Sequence, residues 1–359
     1  MADLDLGYCY SFPAVRGIQA GRPFFIAICP LRIVTKIFSF DEEEVPAELR
    51  AQRTLNKSRI PEMAKYLLDN PKDYIFSALT ASIGSDITFE ESKNPSLGVL
   101  HVPMDSQILI NDGQHRRAAI EEALREKPDL GHDNIAVLFF IDEGLKRSQQ
   151  MFADLNKYAV KPSPSLSTLY DHRDPSSEVA RHLAMSIKPF VGMTEMEKSS
   201  VSSISNKLFT LSSIKQSTRA LLGKGAKDEF SHEEKALAEA YWLAVYDNMP
   251  DWQMAHDKTV APAQLRQEFI HAHGLGLHSL GMLGKHLIYE HPDDWQNQLS
   301  KLKKVDWRKA NPEWVKRCMV HGKLSKSSAA LQLTCNGLKN IIGLPLTPEE
   351  REAEQQITT

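Results

Sequence analysis

The residues with the greatest chemical reach are Asp112-Gly113-Gln114-His115-Arg116-Arg117, an unbroken run holding a carboxylate, an amide, an imidazole and two guanidiniums. They follow residues 107–110, an apolar run that reads as a strand. They precede residues 115–126, where Ala119, Ile120, Ala123 and Leu124 share one helical face. A strand-to-helix junction of this kind suits an anion. Glycine lets a ligand approach the backbone, and the first N–H groups of a helix lack partners at the positive end of its dipole. The arginines and His115 add donors for phosphate. Asp112 can cap the helix or hold a magnesium ion. The same residue types also describe a capped surface helix with two solvated arginines, and spacing leaves both readings open.

Two further stretches carry similar groups. Arg53-Thr54-Leu55-Asn56-Lys57-Ser58-Arg59 leads cationic and polar side chains into a predicted helix over 58–70. Its apolar residues Ile60, Met63, Ala64, Leu67 and Leu68 recur at helical spacing, with Pro61 in the first turn. Residues 145–157 form a second amphipathic pattern, with Gln150, Asp154 and Asn156 toward its end. Convergence on the central loop would give a phosphate site of Arg53, Asn56, Arg59, Gly113, Gln114, His115, Arg116, Arg117 and Asn156. Solvated helix faces account for both stretches equally well.

The elements that must position these groups alternate in the first half of the chain. Residues 24–40 are β-rich, interrupted by Pro30, and read as one or two strands ending at the acidic turn 41–44. Residues 74–83 read as another strand, and residues 135–141 as a wholly buried one. Beyond Arg181 strands give out, and helical patterns such as 233–248 and 265–290 dominate. The expected class is α+β: an α/β domain over 1–190, a helical domain over 191–300, and a basic helical segment and tail over 301–359.

With 359 residues, 42% hydrophobic and 25% charged, the chain has length for two or three domains and a core that needs no staple, which excludes disordered and fibrous classes. The four cysteines, Cys9, Cys29, Cys318 and Cys335, form no CxxC pair and suit reduced, buried thiols. No apolar run approaches the ~20 residues that span a bilayer, and the first residues have no basic-then-apolar signal pattern. A cytoplasmic location without a membrane partner is expected.

The net charge of −3 conceals an asymmetry: residues 301–340 hold ten lysines and arginines against only Asp306 and Glu313. Short helices broken at Gly322 and Gly337 would fit this segment, and a helix-turn-helix using 323–328 or 334–339 is one form it could take. Lys316, Arg317, Lys323, Lys326 and Lys339 are the expected DNA contacts, the alternative being a solvated helical face. His271, His273, His278 and His286 near Glu268, and Cys318 near His321, lack any standard metal-ligand spacing, so no metal is expected.

In chain order, Gln52-Arg53-Thr54-Leu55-Asn56-Lys57-Ser58-Arg59-Ile60-Pro61, Asn111-Asp112-Gly113-Gln114-His115-Arg116-Arg117-Ala118-Ala119-Ile120 and Gln149-Gln150-Met151-Phe152-Ala153-Asp154-Leu155-Asn156 resemble the DGQHR-domain family, most closely its DndB branch. The resemblance continues through Leu169-Tyr170-Asp171-His172-Arg173-Asp174, Lys207-Leu208-Phe209-Thr210-Leu211-Ser212 and Gly343-Leu344-Pro345-Leu346-Thr347-Pro348, nearly the whole chain. It implies a DNA-binding regulator, typically a repressor, acting at the promoter of a DNA sulfur-modification (phosphorothioation) operon. It also implies kinship with the ParB and sulfiredoxin fold, whose equivalent loop binds nucleotide phosphates. Carried over, this assigns ATP and Mg2+ to Gly113, Gln114, His115, Arg116 and Arg117. Asp112 becomes a magnesium ligand, and His115 a phosphate contact or acid/base group in a slow regulatory hydrolysis. Gln114 stands where sulfiredoxins place a catalytic cysteine, which argues against sulfinic-acid reduction. No GxxxxGK[ST] loop occurs; Gly281-Met282-Leu283-Gly284-Lys285-His286 has the wrong spacing. Two function classes stay open, a nucleotide-tuned DNA-binding regulator and a nucleotide hydrolase or nuclease-type enzyme of the same pathway. Other phosphorothioation proteins are further expected partners, as is a homodimer matched to paired half-sites.

Overall fold

The computed structural model describes residues 8–38, 57–83, 87–106, 108–141, 150–151, 154–155 and 161–358. The expected turn at 41–44, and Arg53, Asn56 and Asn156 of the expected phosphate site, lie outside these. The chain is mixed α/β, about half helical, and divides into two compact units, residues 1–160 and 161–359.

The first unit is built on a seven-stranded sheet. Its elements in chain order are β1 (Cys9–Gln19), β2 (Arg22–Pro30), α1 (Leu31–Ile37), α2 (Ile60–Asp69), β3 (Leu79–Ile83), β4 (Thr88–Glu91), β5 (Leu97–Pro103), β6 (Ile108–Asp112), α3 (Gln114–Glu126) and β7 (Asn134–Ile141). The strand order is β4-β5-β1-β2-β7-β3-β6, antiparallel throughout except for the parallel pair β3 and β7. β1 and β2 form a hairpin closed by Ala20 and Gly21, both at positive φ (51° and 75°), the turn whose twist matches that of the strands.

One face of the sheet is covered by helices, and the buried set unites Val137 and Phe139 of β7 with Val34, Leu67, Ala119 and Ile120. This packing accounts for two departures from the sequence expectations. Residues 31–37 are helical although rich in β-formers, because Leu31, Val34 and Ile37 fall on one side of a helix and are buried there. β7 is buried on alternate residues, Ile135, Val137 and Phe139, with its other face half-exposed, so it is not wholly enclosed. β3, by contrast, is buried at all of its residues, and the five residues before it, 74–78, are not strand.

The second unit contains α4 (Pro164–Tyr170), α5 (Pro175–Ser186), a parallel two-strand contact of β8 (Thr194–Glu195) with β9 (Phe209–Thr210), then α6 (Leu211–Leu222), α7 (His232–Asp247), α8 (Pro250–His256), α9 (Pro262–Glu268), α10 (Gly274–Glu290), α11 (Trp295–Leu299), a hairpin of β10 (Met319–Val320) and β11 (Lys323–Leu324), α12 (Ser328–Ile342) and α13 (Pro348–Thr358). The division at 160 falls before α4 and α5, thirty residues earlier than the boundary expected near 190, because Val179, Leu183 and Ile187 join the helical core. The basic segment also belongs to this core. Phe190 packs edge-on to Trp242 (5.6 Å) and Phe209, Phe209 on Trp252 (5.0 Å), His271 between Trp252 and Trp307, and Trp307 stacks on Trp314 (6.0 Å). An unbroken aromatic chain therefore runs from residue 190 to residue 314.

The pattern over 265–290 resolves into two helices. Between them Ile270 donates its N–H to the carbonyl of Trp307, and the imidazole of His271, fully buried, bonds Asp251 (2.8 Å) and accepts from the Trp252 indole (3.0 Å). His271 thus serves packing. Gly337 does not break α12; a Cβ there would lie 3.2 Å from the Trp314 ring and the Arg317 stem, so the glycine permits a close approach.

Asp174 caps α5 by accepting from the Ser176 N–H (2.9 Å), and it is paired with Lys215 of α6. Burial opposes its ionisation, but hydrogen bonds from Lys215, Ser176 and Ser177 outweigh that and hold the carboxyl at about 2. A depressed carboxyl stabilises the fold above its unfolded value near 3.9 and loses that contribution as pH falls toward its folded value. All five tryptophans, Trp242, Trp252, Trp295, Trp307 and Trp314, lie in the helical unit, so their fluorescence follows its unfolding alone. Asp174→Ala is expected to destabilise that unit by about 2 kcal/mol at neutral pH. In urea titrations followed by tryptophan fluorescence, the gap from the unsubstituted protein should close as pH is lowered from about 4 to about 2.

Candidate functional site

The DGQHR loop leaves the sheet at the end of β6, its edge strand. A bulge between Thr80 and Ala81 shifts the β3–β6 register just before the loop. Asn111 opposite it is 1% exposed, and its amide donates to the Ser82 hydroxyl and to Met151 Sδ (3.2 Å). Gly113 then turns the chain into α3 at φ 105°. No other residue fits: the backbone is left-handed, and a Cβ would stand 2.3 Å from Leu79 Cδ2.

No side chain caps α3, so Asp112 does not play the capping role open to it in the sequence. Its carboxylate, half-exposed, instead meets Arg116 Nη2 at 2.5 Å. The other arm of Arg116, Nη1, donates to the carbonyls of Ser77 (2.8 Å) and Ala78 (2.7 Å) and to the Ser77 hydroxyl. Arg117 donates to Glu121 (2.6 Å) and to the Thr35 carbonyl of α1 (3.1 Å). Their side chains are only 13% and 12% exposed. Neither is a solvated arginine, and neither is a ready phosphate donor: both guanidiniums bind protein.

What remains for an anion is the uncapped first turn with Gln114 and His115, and Arg59 at the start of α2, which is exposed and close enough to act on His115. Burial first, and then the Arg59 charge, depress the basicity of His115 against the opposing pull of Asp112, so the imidazole is neutral at neutral pH. Gln114 holds back toward the sheet, its amide 3.3 Å from the Ile110 carbonyl. The fit to magnesium is poor, since one carboxylate already bound to a guanidinium makes no cage, and no cluster of three metal-ligating side chains exists among the described residues.

The five expected DNA contacts separate sharply. Lys339 is 3% exposed and bridges Glu350 (2.6 Å); Arg317 bridges Glu313 (3.0 Å) and Glu354 (2.5 Å). Both cations neutralise carboxylates inside the fold. Lys316, Lys323 and Lys326 are exposed, around the β10–β11 hairpin whose turn, His321 and Gly322, has φ of 48° and 74°. A ribbon followed by α12 stands where two turn-linked helices were one expectation, so no helix-turn-helix forms here. Sequence spacing gave no hint of a cavity of about 480 Å³ inside the helical unit, because its lining comes from residues scattered between Pro164 and Leu331.

Removing the Arg116 guanidinium should free Asp112 and residues 77–78 together. Arg116→Ala is expected to destabilise the sheet unit by about 2–3 kcal/mol, the scale for a charge-assisted network with part-buried partners. Hydrogen exchange of β3 and β6 amides should accelerate, while the tryptophan-monitored unfolding of the helical unit stays unchanged.

No curated protein and no solved structure matches the chain. Residues 12–345, nearly the whole chain, match the family described as DndB, DNA-sulfur modification-associated. With the strand–glycine–helix loop, the Arg116 brace and the helical unit all inside that span, the chain belongs to the DndB family of DNA-sulfur modification-associated proteins.

Proposed function

We propose that the protein is a DNA-binding regulator, a repressor, of the gene cluster for DNA phosphorothioation, tuned by a nucleotide at the DGQHR loop. Membership of a DNA-sulfur modification family supplies the pathway. The observation that carries DNA contact is the surface at the β10–β11 hairpin, where Lys316, Lys323 and Lys326 stand exposed on or beside a two-stranded ribbon. Lysines contact phosphate as mobile point charges and need no helix in the groove to do so. The negative whole-chain charge is no obstacle, since binding follows the local field within about 10 Å at ordinary salt.

For the nucleotide, phosphates at the DGQHR loop would meet the uncapped first turn of α3, neutral His115 and Arg59, with Arg116 and Arg117 holding the loop in shape rather than touching ligand. Magnesium would arrive with the phosphates and be held by their oxygens rather than by Asp112, whose carboxylate is bound to Arg116. The strand–glycine–helix turn is also what supports kinship with the ParB and sulfiredoxin fold.

The test is binding of the full chain to duplex from upstream of its own operon, against scrambled duplex, with and without magnesium-ATP. A preference for the operon duplex that weakens with salt and changes with ATP is expected; equal binding to both duplexes would sink the regulator. Replacing Lys323 and Lys326 together with glutamine should reduce the slope of log affinity against log salt by about 0.9 for each phosphate left unneutralised. Lys339→Gln should leave that slope alone and lower the stability of the helical unit instead.

A further inference from the structure

Arg266 is 7% exposed and lies in no ion pair among the described residues. Its guanidinium is held by main-chain carbonyls only, those of Ser202 (2.7 Å), Ser205 (2.9 Å), Ser203 (3.3 Å) and Lys207. The neighbouring Lys309 likewise reaches a carbonyl, that of Arg266 (2.6 Å), and no carboxylate. Carbonyls solvate a buried cation but do not cancel its charge, whereas elsewhere in this unit Lys339 and Arg317 meet glutamates. The positive field around Arg266 is therefore uncompensated.

That field opens into the cavity of about 480 Å³, within the range of small-ligand sites. Arg266, His273, His278 and Lys326 line it, and among the described residues no aspartate or glutamate does. His278 and Lys326 have no hydrogen-bond or ion-pair partner among the described residues. Gly274 and Leu275 open α10, a helix of 17 residues without a side-chain cap or an acidic first turn, and both border the cavity. Serine and threonine hydroxyls from 199–213 form one wall; Leu208, Leu275 and Leu331 add apolar surface suited to a flat ring. The charge around the cavity also depresses His273: burial first, then Lys309, Arg266 and Lys326, take it down to about 4 despite its bond to the Arg266 carbonyl.

We propose that this cavity binds a phosphorylated small molecule of nucleoside-phosphate size, with Lys326 and His278 facing its phosphates, the carbonyl-held charge of Arg266 attracting them through the field rather than by contact, and the leucines facing its base. A concavity of this volume favours a small molecule over the backbone of a duplex, whose phosphates reach a protein surface without a pocket. Because Lys326 is also one of the exposed hairpin lysines, an occupant would compete with duplex DNA for that charge. This last consequence rests on the DNA-binding reading; the site itself does not.

The experiment is calorimetric titration of the full chain at low salt with AMP, ATP, inorganic phosphate and adenosine. Gln267 and Gln216 border the cavity, are exposed, and belong neither to the DGQHR loop nor to the hairpin, so they test the site by charge alone. Nucleotide binding is expected to weaken about tenfold in Gln267→Glu and in Gln216→Glu, to tighten in Gln267→Lys, and to persist in Arg116→Ala. Adenosine should bind far more weakly than AMP. The tryptophan-monitored unfolding of the glutamine variants should match that of the unsubstituted protein, so that a weakened affinity is not a weakened fold. Nucleotide binding abolished by Arg116→Ala but indifferent to the glutamates would assign the ligand to the DGQHR loop and overturn the proposal. Absence of nucleotide binding, equal binding of adenosine, or glutamates that change duplex affinity alone would overturn it as well. Failure to prefer the operon duplex would remove the regulator and leave the cavity result standing.

Discussion

The guanidinium of Arg116 is the tie on which the DGQHR loop depends. From the first turn of α3 it reaches two carbonyls in the segment entering β3 and, four residues back, the carboxylate that ends β6. Three pieces of chain that the sheet alone would leave to fray are thereby joined at one planar group, whose fixed fork matches several acceptors at once. Gly113 makes this possible: only a residue without a Cβ turns left-handed against Leu79, and that turn brings position 116 back over 112. The arginines that look most like ligand donors are thus what gives the loop its shape.

Charge in the helical unit is compensated in two ways. A cation removed from water needs an opposite charge or several oriented dipoles, or it destabilises the fold by several kcal/mol. Lys339 and Arg317 meet that need with Glu350, Glu313 and Glu354, which is how a segment so basic in sequence joins a tryptophan-rich core. Arg266 meets it with dipoles alone. Surface lysines and buried ones of the same segment therefore have different work, and a charge count cannot separate them.

The helix expected over 233–248 was legible because its apolar residues recur at helical spacing and its cap, Ser231, is local; α12 was not read as one helix, because Gly337 looks like a break until its close approach to Trp314 is known. The segment over 31–37 was not legible either, since its β-branched residues favour a strand in isolation and become helical only because their side chains complete a buried face beside α3. β1, β4 and β5 also escaped notice. Exposed and buried residues alternate along β1, but alternation in a single strand is weak until its neighbours are known.

Residue order by itself determined the family, since its three motif blocks are contiguous strings, and with it the coarse division into an α/β half and a helical half. It also determined where the loop turns, through a glycine whose conformation no other residue adopts at that spot. Tertiary structure alone decided what the charged groups do. Whether a lysine or arginine faces solvent, a carboxylate or a carbonyl depends on residues tens or hundreds of positions away, as with Arg117 and Thr35 or Arg266 and Ser202. Pairing energy falls with distance in space, not along the chain, so the fold had to be known before those charges could be assigned.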